Sequence, residues 1–436
     1  MAHPLRIGMI GLGTVGSGVA RILQTQAART ALRAGRPVQL TRVAVRNPDR
    51  ARDVDLTEVQ LTTDALSVAQ ADDVDVVVEL IGGIEPAKSL VLAALQAGKD
   101  VVTANKALLC TCGDELFAEA RRLGRSISFE AAVAGGVPII AAIGQAMTGN
   151  QILSLAAIVN GTSNFILTRM FKENASYEDS VREAQQLGFA EADPSMDVQG
   201  TDAAQKLGLL TQLAFGRRIT PDQFPVQGID ELSLMDLKFA AELGYAIKLL
   251  ATAKLVDQQL ELHTQPTLIR NSRPLAQVNG PYNMIELTGD ALGKAWFSAL
   301  GAGQMATASA VLADLVDVAV GRARINFNSL PLWPQTETFP LQPIEKIRRR
   351  YYMRFQVEDR PHVIADIADI LGRHGISLAS VIQKESDEPG SQAEFPAVPL
   401  VFMTHVTTEG AVRAARAELD QLSTVRLPWL CLPVSD

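Results

Sequence analysis

This 436-residue sequence predicts an α/β protein made of a doubly wound parallel sheet, a second α+β domain and a C-terminal βαββαβ domain. Three observations carry the prediction. Short apolar runs alternate with helical stretches from Leu5 to Leu123, the pattern of parallel strands joined by crossover helices. A glycine turn, Gly11-Leu-Gly13-Thr-Val-Gly16, sits between the first such run and the first helical stretch. Four prolines (Pro331, Pro334, Pro340, Pro343) crowd the interval from Asn326 to Pro343, a composition that makes stiff, extended linkers, and a fresh strand-helix pattern starts beyond it. Roughly three domains suit a chain of this length.

The first strand is read at 5–10 and further strands at 38–45, 74–81 and 100–103, with helices at 64–70, 86–98 and 112–123. From Ser126 the pattern turns to mixed strands and helices, with an apolar run at 152–159 and helices around 177–187 and 201–215. Residues 304–321, preceded by Gly301-Ala-Gly303, read as one helix that returns the chain to the first domain. Beyond the prolines come strand 351–357, helix 362–373 stopped by Gly375, strand 376–383, a Ser/Glu/Pro/Gly loop, strand 398–407, helix 410–422 and strand 425–432. The basic run Lys346-Ile-Arg-Arg-Arg350 reads as a solvated edge. The expected domains are 1–128, completed by helix 304–321, then 129–303, with a linker at 322–349 and a last domain at 350–436. Truncation after Asn326 is expected to leave any catalysis intact and to remove regulation.

Composition excludes several classes. Hydrophobic residues make up 47% and charged residues 20%, the balance of a globular protein. The formal charge of -8 supplies no net basic field for nucleic acid or an anionic membrane, so neither is an expected partner. Cys110, Cys112 and Cys431 lack CxxC spacing, which argues against a disulfide framework or a thiolate zinc site and fits a reducing, cytoplasmic setting. The histidines (His3, His263, His362, His374, His405) are scattered without metal-ligand spacing. The longest weakly polar stretch, Ala131 to Gly144, is broken by two adjacent glycines and Pro138 and falls short of the roughly 18 to 20 apolar residues that span a bilayer.

The glycine turn is the first motif with chemistry. Its glycines permit a tight turn and let backbone amides approach a pyrophosphate at a helix N-terminus, which makes Gly11, Leu12, Gly13, Thr14, Val15 and Gly16 the expected dinucleotide cradle. In such a unit the second strand ends in Asp or Glu where the 2′-hydroxyl of NAD is bound. Here it ends Val45-Arg46-Asn47, and a guanidinium suits a 2′-phosphate, with Arg50 as a second cation. NADP is therefore favoured, while Asp49 could serve a ribose hydroxyl and keeps NAD open.

The second motif is charged. Glu191, Asp193, Asp197 and Asp202 lie in a Gly- and Pro-punctuated stretch that closes on Lys206. Asp202 and Lys206 are i and i+4 on one helix face, where an ordinary exposed pair contributes only about 0.3 to 0.5 kcal/mol. They are also the only charges between Gly200 and Gly216, in a helix apolar nearly all round, and such helices are usually buried. Oxidising an alcohol with a nicotinamide requires a group that takes the hydroxyl proton, a task open to a lysine. Burial lowers a lysine pKa and nearby carboxylates raise it, so the net direction is undetermined at this level. Lys106, after Val101-Val-Thr-Ala-Asn105, follows the carboxyl end of a strand, where ligands lie in open α/β sheets; a surface lysine opening the next helix is the alternative.

The run Ala184-x-x-x-Gly188-Phe-Ala-Glu191-Ala-Asp193-Pro194-x-x-Asp197-Val-x-Gly200-x-Asp202-x-x-x-Lys206 resembles the signature of homoserine dehydrogenase. The resemblance extends to Thr103-Ala-Asn105-Lys106, to Asn160-Gly-Thr162-Ser-Asn164 and to essentially the whole chain. It implies reversible conversion of L-homoserine and NAD(P)+ into L-aspartate 4-semialdehyde and NAD(P)H, a step toward threonine and methionine. It also implies Lys206 as general acid/base with Lys106 assisting it near the nicotinamide, and Glu191 and Asp202, with Asp197 and Thr162, around the substrate. Thr103, Gly188 and Gly303 match positions beside the cofactor. The stretch Glu130-Ala-Ala-Val133-Ala-Gly135-Gly-Val137 resembles a family site for a monovalent cation, usually Na+, held through oxygens of Glu130, Val133, Gly135 and Val137. A Gly-rich strand exit is the other reading of that stretch.

Residues 352–365 resemble an ACT domain, which in this family commonly receives L-threonine as feedback inhibitor. The family pattern has Gly directly after the Pro, whereas here His362 follows Pro361, adding a side chain and restricting φ. The family is usually a homodimer or homotetramer. Two other readings are a different amino-acid-directed NAD(P) oxidoreductase, which need not keep Glu191, Asp202 and Lys206 together, and a non-catalytic nucleotide and amino-acid sensor.

Overall fold

The structure, a computed structural model, describes residues 3–329, 339–384 and 397–435. Pro331, Pro334 and the Ser/Glu/Pro/Gly loop of the last domain lie outside the described residues. The chain forms two units, the first from Met1–Gly161, Asp202–Gln223 and Pro281–Phe339, the second from Thr162–Thr201, Phe224–Gly280 and Pro340–Asp436.

The first unit is built on a six-stranded parallel sheet: β1 (Leu5–Ile10), β2 (Val38–Ala44), β3 (Gln60–Thr62), β4 (Val76–Glu79), β5 (Asp100–Thr103) and β6 (Ile127–Ser128). Its strand order is β3-β2-β1-β4-β5-β6, so the order reverses between β1 and β4 and opens a crevice there at the carboxyl ends. Between the strands run α1 (Thr14–Thr25), α2 (Ala27–Ala34), α3 (Ala65–Gln70), α4 (Ala87–Gln96) and α5 (Lys106–Arg122). Strands covered on both faces read as continuous β-branched runs, and β4, Val-Val-Val-Glu, is buried throughout. Helix Gln304–Ala319 packs into the same core: Ala308, Val311 and Leu315 join Leu5, Ile7, Val19, Leu23 and Val76. A Cβ on Gly18 would lie 2.8 Å from the Gln304 carbonyl, so α1 and this helix meet closely because that position is glycine. α2 and β3 escaped the sequence reading; a three-residue strand is too short to show a period. The helix read at 112–123 begins earlier, at Lys106, because Asn105 caps it by accepting the Leu108 amide at 3.1 Å. The remaining strands of this unit, Ile152–Ile158, Tyr282–Gly289 and Gly293–Leu300, pair antiparallel in that spatial order.

In the second unit, strands Tyr245–Val256 and Gln259–Arg270 form a hairpin turned through Asp257 and Gln258, both at positive φ. The C-terminal elements follow the expected βαββαβ order: Arg348–Glu358, Val363–Arg373, Leu378–Gln383, Ala397–Thr404, Glu409–Leu419 and Val425–Ser435. Alternate residues of the first of these strands, Tyr351, Met353, Phe355 and Val357, pack under the two helices.

Two expectations need correction. The run Lys346 to Arg350 is not simply a solvated edge. Lys346 and Arg348 are exposed, but Arg349 and Arg350 are half-buried in strand Arg348–Glu358, and Arg350 donates to the Thr404 carbonyl at 3.1 Å. Nor is 322–349 extended linker throughout: Arg322–Ser329 is a helix, and the described stretch after it is bonded to the second unit. Leu260 and the stretch Pro340–Gln342 exchange backbone hydrogen bonds of 2.8 and 3.0 Å, and Val434 and Ser435 pair in parallel with Leu268 and Ile269. The free face of the C-terminal sheet is closed by helix Leu234–Glu242: fully buried Asp236 accepts from Arg354 Nε at 2.5 Å and from the Tyr352 hydroxyl at 3.2 Å. The same carboxylate caps its own helix, accepting from the Ser233 amide and hydroxyl at 2.9 and 2.7 Å. Truncation after Asn326 would strip these partners, so it is expected to destabilise the second unit rather than spare it. Among the described residues no single helix is long and apolar enough to cross a membrane.

Removing one member of a buried, hydrogen-bonded ion pair leaves the other uncompensated. Asp236→Ala is therefore expected to cost about 3 to 5 kcal/mol, read as a lower urea midpoint; a loss below about 1 kcal/mol would show that Arg354 finds another partner.

Candidate active site

The glycine turn divides its labour as the motif requires. Gly11 has φ of +102° and a Cβ there would meet the Leu80 carbonyl at 2.8 Å; a Cβ on Gly16 would meet the Gly11 carbonyl at 2.4 Å. Around Gly13, by contrast, a Cβ would find open space, and Gly13 is the N-cap of α1 with no side-chain cap on the helix amides. That combination, free amides beneath an open approach, fits a pyrophosphate. The turn opens into a cavity of about 690 Å³ lined also by Arg46, Asn47, Arg50, Arg52, Gly82 and Gly83. Arg52 was not foreseen; its guanidinium holds the loop by donating to the carbonyls of Asn47 and Arg50 at 2.8 and 2.7 Å. Arg46 and Arg50 donate no hydrogen bond among the described residues and are open to an anion. Asp49 does not line this cavity.

On the other side of the sheet crevice, α5 starts at Lys106, whose Nζ lies 3.0 Å from Asp202 Oδ1. Asp202 is buried in the first turn of helix Thr201–Phe215, and its Oδ2 accepts from Lys206 Nζ and from Asn160 Nδ2, each at 2.8 Å. Lys206 also donates to the Val159 carbonyl at 2.8 Å, so two of its three N–H bonds are engaged and both partners anchor it. Lys106 is about a third exposed and Lys206 largely buried, so the two ammonium groups differ in access to solvent. Burial alone would push the Asp202 carboxyl up. The charges of Lys206 and Lys106, with hydrogen bonds from Lys206 and Asn160, outweigh it and hold Asp202 well below the usual carboxylate range. One carboxylate serving two cations leaves the cluster net positive, which suits an oxygen gaining negative charge.

Thr103 Oγ1 donates to Glu79 at 2.6 Å and accepts from the Asn105 amide at 3.0 Å, so its hydroxyl is already committed. Glu79, fully buried at the end of β4, was missed by sequence reading; an acid ending an otherwise apolar strand is the signal that could have found it. Gly303, at φ of +117°, is the N-cap of helix Gln304–Ala319 with open space where a Cβ would stand. Glu130 is buried and its two carboxylate oxygens accept from the amides of Ile140 and Ala141 at 2.8 Å each, while its own amide donates to Asp314 at 3.0 Å.

Thr162, Gly188, Glu191 and Asp197 belong to the second unit. The buried Thr162 hydroxyl donates to the Phe189 carbonyl at 2.6 Å, and the Ser163 hydroxyl to the Asp197 carbonyl at 2.9 Å, so both fasten the acidic loop. Gly188, at φ of +76°, stops helix Tyr177–Gln186 in the left-handed conformation. Glu191 is exposed, and its carbonyl accepts from the Gln185 side-chain amide at 3.2 Å.

A dinucleotide fold that presents a lysine-carboxylate-lysine cluster in its own unit defines a nicotinamide-dependent oxidoreductase. Comparison makes the assignment specific. Family models match in three segments: homoserine dehydrogenase, NAD binding domain, over residues 11–130; homoserine dehydrogenase over 138–316; and an ACT domain over 351–424. The homoserine dehydrogenase of Pseudomonas aeruginosa is 43% identical over 98% of this chain and 97% of its own length. Among solved structures, a homoserine dehydrogenase from Thiobacillus denitrificans is 42% identical with a TM-score of 0.91, covering 100% of this chain and 99% of that one. The Staphylococcus aureus homoserine dehydrogenase is 31% identical with a TM-score of 0.75 over 99% of both chains. The chain belongs to the homoserine dehydrogenase family and is an oxidoreductase with an NAD(P)-binding domain and a C-terminal ACT domain.

The lowered Asp202 pKa sets a pH dependence. A depressed carboxylate stabilises the fold fully above its unfolded value of about 4, and the contribution is lost as pH falls through the folded value. The stability difference between the native chain and Asp202→Asn is therefore expected to be flat from about pH 5 to 8 and to shrink only below about pH 4 in urea titrations; a difference that varies near pH 7 would count against an ionised Asp202.

Proposed function

We propose that this chain is an NADP-preferring homoserine dehydrogenase acting toward threonine and methionine synthesis, with L-threonine sensed by its ACT segment. The observation that carries the catalytic half is the buried carboxylate shared by two lysines. A bound nicotinamide supplies the hydride acceptor for the carbinol carbon of L-homoserine. Lys206 Nζ, with its third N–H bond directed to no partner among the described residues, exchanges the proton of the reacting oxygen in either direction. Lys106 adds a second positive charge for that oxygen, and Asp202 orients both lysines. Glu191 and Asp197, with Thr162, would hold the substrate; the Thr162 hydroxyl keeps only its lone pairs for that purpose.

Gly11 to Gly16 would cradle the pyrophosphate, with Thr103, Lys106, Gly188 and Gly303 along the rest of the dinucleotide. Arg46 and Arg50, unengaged in the same cavity, are the reason to prefer the 2′-phosphate of NADP over NAD. A Na+ ion would be held through oxygens of Glu130, Val133, Gly135 and Val137, a hard-ligand set suited to it, while each Glu130 carboxylate oxygen also accepts one amide. The working division of the chain is 1–128 with 304–321 for cofactor, 129–303 for substrate and subunit contacts, 322–349 as connector and 350–436 for sensing. A cytoplasmic homodimer or homotetramer is the expected form.

His362 bears on the effector. It takes the left-handed conformation, φ +75°, that the family's glycine would adopt freely, and it lines a cavity of about 660 Å³ with Asp359, Arg360 and Gln383. The first experiment is the initial rate of nicotinamide reduction by L-homoserine with NADP+ and NAD+ separately, with and without L-threonine. Turnover inhibited by threonine supports the whole reading, and turnover indifferent to it places the effector in question at His362.

Lys206→Ala is expected to lower kcat by roughly 100-fold or more in protein that still folds, with a lower melting temperature because buried Asp202 loses a partner, and near-native turnover would remove its acid/base role. Arg46→Asp is expected to shift the ratio of kcat/KM from NADP+ toward NAD+ by roughly tenfold or more, and an unchanged ratio would refute the 2′-phosphate assignment.

A further inference from the structure

Glu79 has no part in the reaction as described, yet it is a fully buried carboxylate at the crevice end of β4. A buried carboxylate needs several donors, and here each one identifies a neighbour with a function. Oε1 accepts from the amides of Ile81 and Gly82 at 2.9 and 3.2 Å, folding back the loop that lines the dinucleotide cavity. Oε2 accepts from Thr103 at the end of β5 at 2.6 Å, and Thr103 in turn accepts from the Asn105 amide at 3.0 Å. Asn105 closes the ring: its Nδ2 donates to the Gly83 carbonyl at 2.7 Å, and its Oδ1 caps α5 through Leu108. The next residue is Lys106, 3.0 Å from Asp202. Gly82 and Gly83, at φ of +71° and +74°, make the loop's return feasible.

We propose that Glu79 is a positioning residue for the homoserine dehydrogenase reaction, locking the cofactor-side loop 81–83 and the Lys106 end of α5 into one unit. This rests on the reading of Lys106 as the assisting lysine. The ring has three donors converging on two oxygens, and only a carboxylate accepts from all three as they stand. Glu79→Gln replaces one acceptor oxygen by an NH2 group: toward the two amides it clashes donor on donor, and toward Thr103 it forces the hydroxyl to accept and to give up its short bond to the carboxylate. Thr103→Val keeps the volume and cuts the branch toward Lys106.

The test measures kcat with L-homoserine and NADP+, and NADPH affinity by fluorescence titration, in Glu79→Gln, Thr103→Val, Lys106→Ala and the Glu79→Gln/Lys106→Ala double variant. Glu79→Gln is expected to lower kcat and raise the NADPH Kd, each by roughly tenfold, because sub-ångström misplacement at a reacting site carries penalties of that order. In the Lys106→Ala background the same change should lower kcat by no more than about twofold while the Kd still rises, the non-additivity of groups that act through one another. An equal loss of kcat in both backgrounds would overturn the route through Lys106. A lower melting temperature with kcat and Kd both unmoved would overturn the proposal outright. If Lys106→Ala alone keeps native turnover, the reading of Lys106 fails and takes that branch with it, while the Kd still decides the cofactor branch. Should Glu79→Gln not fold, Thr103→Val decides the Lys106 branch by the same cycle: a fall in kcat that shrinks to about twofold or less in the Lys106→Ala background supports it, and an equal fall in both backgrounds, or none in either, overturns it.

Discussion

One carboxylate organises the reacting end of the first unit. Asp202 leaves water only because two ammonium groups and an amide nitrogen meet it, and each of those donors is held by a different element. Lys206 comes from the same helix one turn on, Asn160 from the exit of strand Ile152–Ile158 and Lys106 from the start of α5. A buried charge of this kind is costly unless every partner is in place, so the geometry of three elements is tied to a single group. The net positive balance is what makes the arrangement chemical as well as structural.

The parallel sheet meets the same requirement from its other side. Its carboxyl ends present backbone amides at Gly13 and arginines beyond β2, while Glu79 at the end of β4 and Thr103 at the end of β5 brace the loops between. Polar groups at these strand ends are buried and mutually satisfied, which is how loops facing a ligand cavity keep one shape without a rigid ladder of their own.

The C-terminal segment is integrated by the same means. Backbone pairing of Val434 and Ser435 with Leu268 and Ile269, and the Asp236 contacts with Tyr352 and Arg354, make it part of the second unit's hydrogen-bonded framework. Both faces of strand Arg348–Glu358 are therefore covered, one by its own helices and one by helix Leu234–Glu242. Such a sheet transmits strain, because a packed interface rearranges in steps rather than by gradual deformation. His362, held at a left-handed φ at the mouth of its cavity, sits where that sheet meets its first helix.

Local sequence determined most of the elements: apolar runs placed β1, β2, β4 and β5, the glycine turn located α1, and the βαββαβ order of the last segment followed from period and turn residues. It also singled out Asp202 and Lys206, because a charged pair at i and i+4 in an apolar helix is visible along the chain. Tertiary structure alone decided that Lys106 shares the Asp202 carboxylate, that Glu79 joins two loops through Thr103, that Arg349 and Arg350 fold inward and that the last strand bonds to Leu268 and Ile269. Those contacts link residues far apart in sequence, through side chains whose partners carry no period and no local signal. Periodicity reports which face of an element is buried, and only the packed chain reports what that face is buried against.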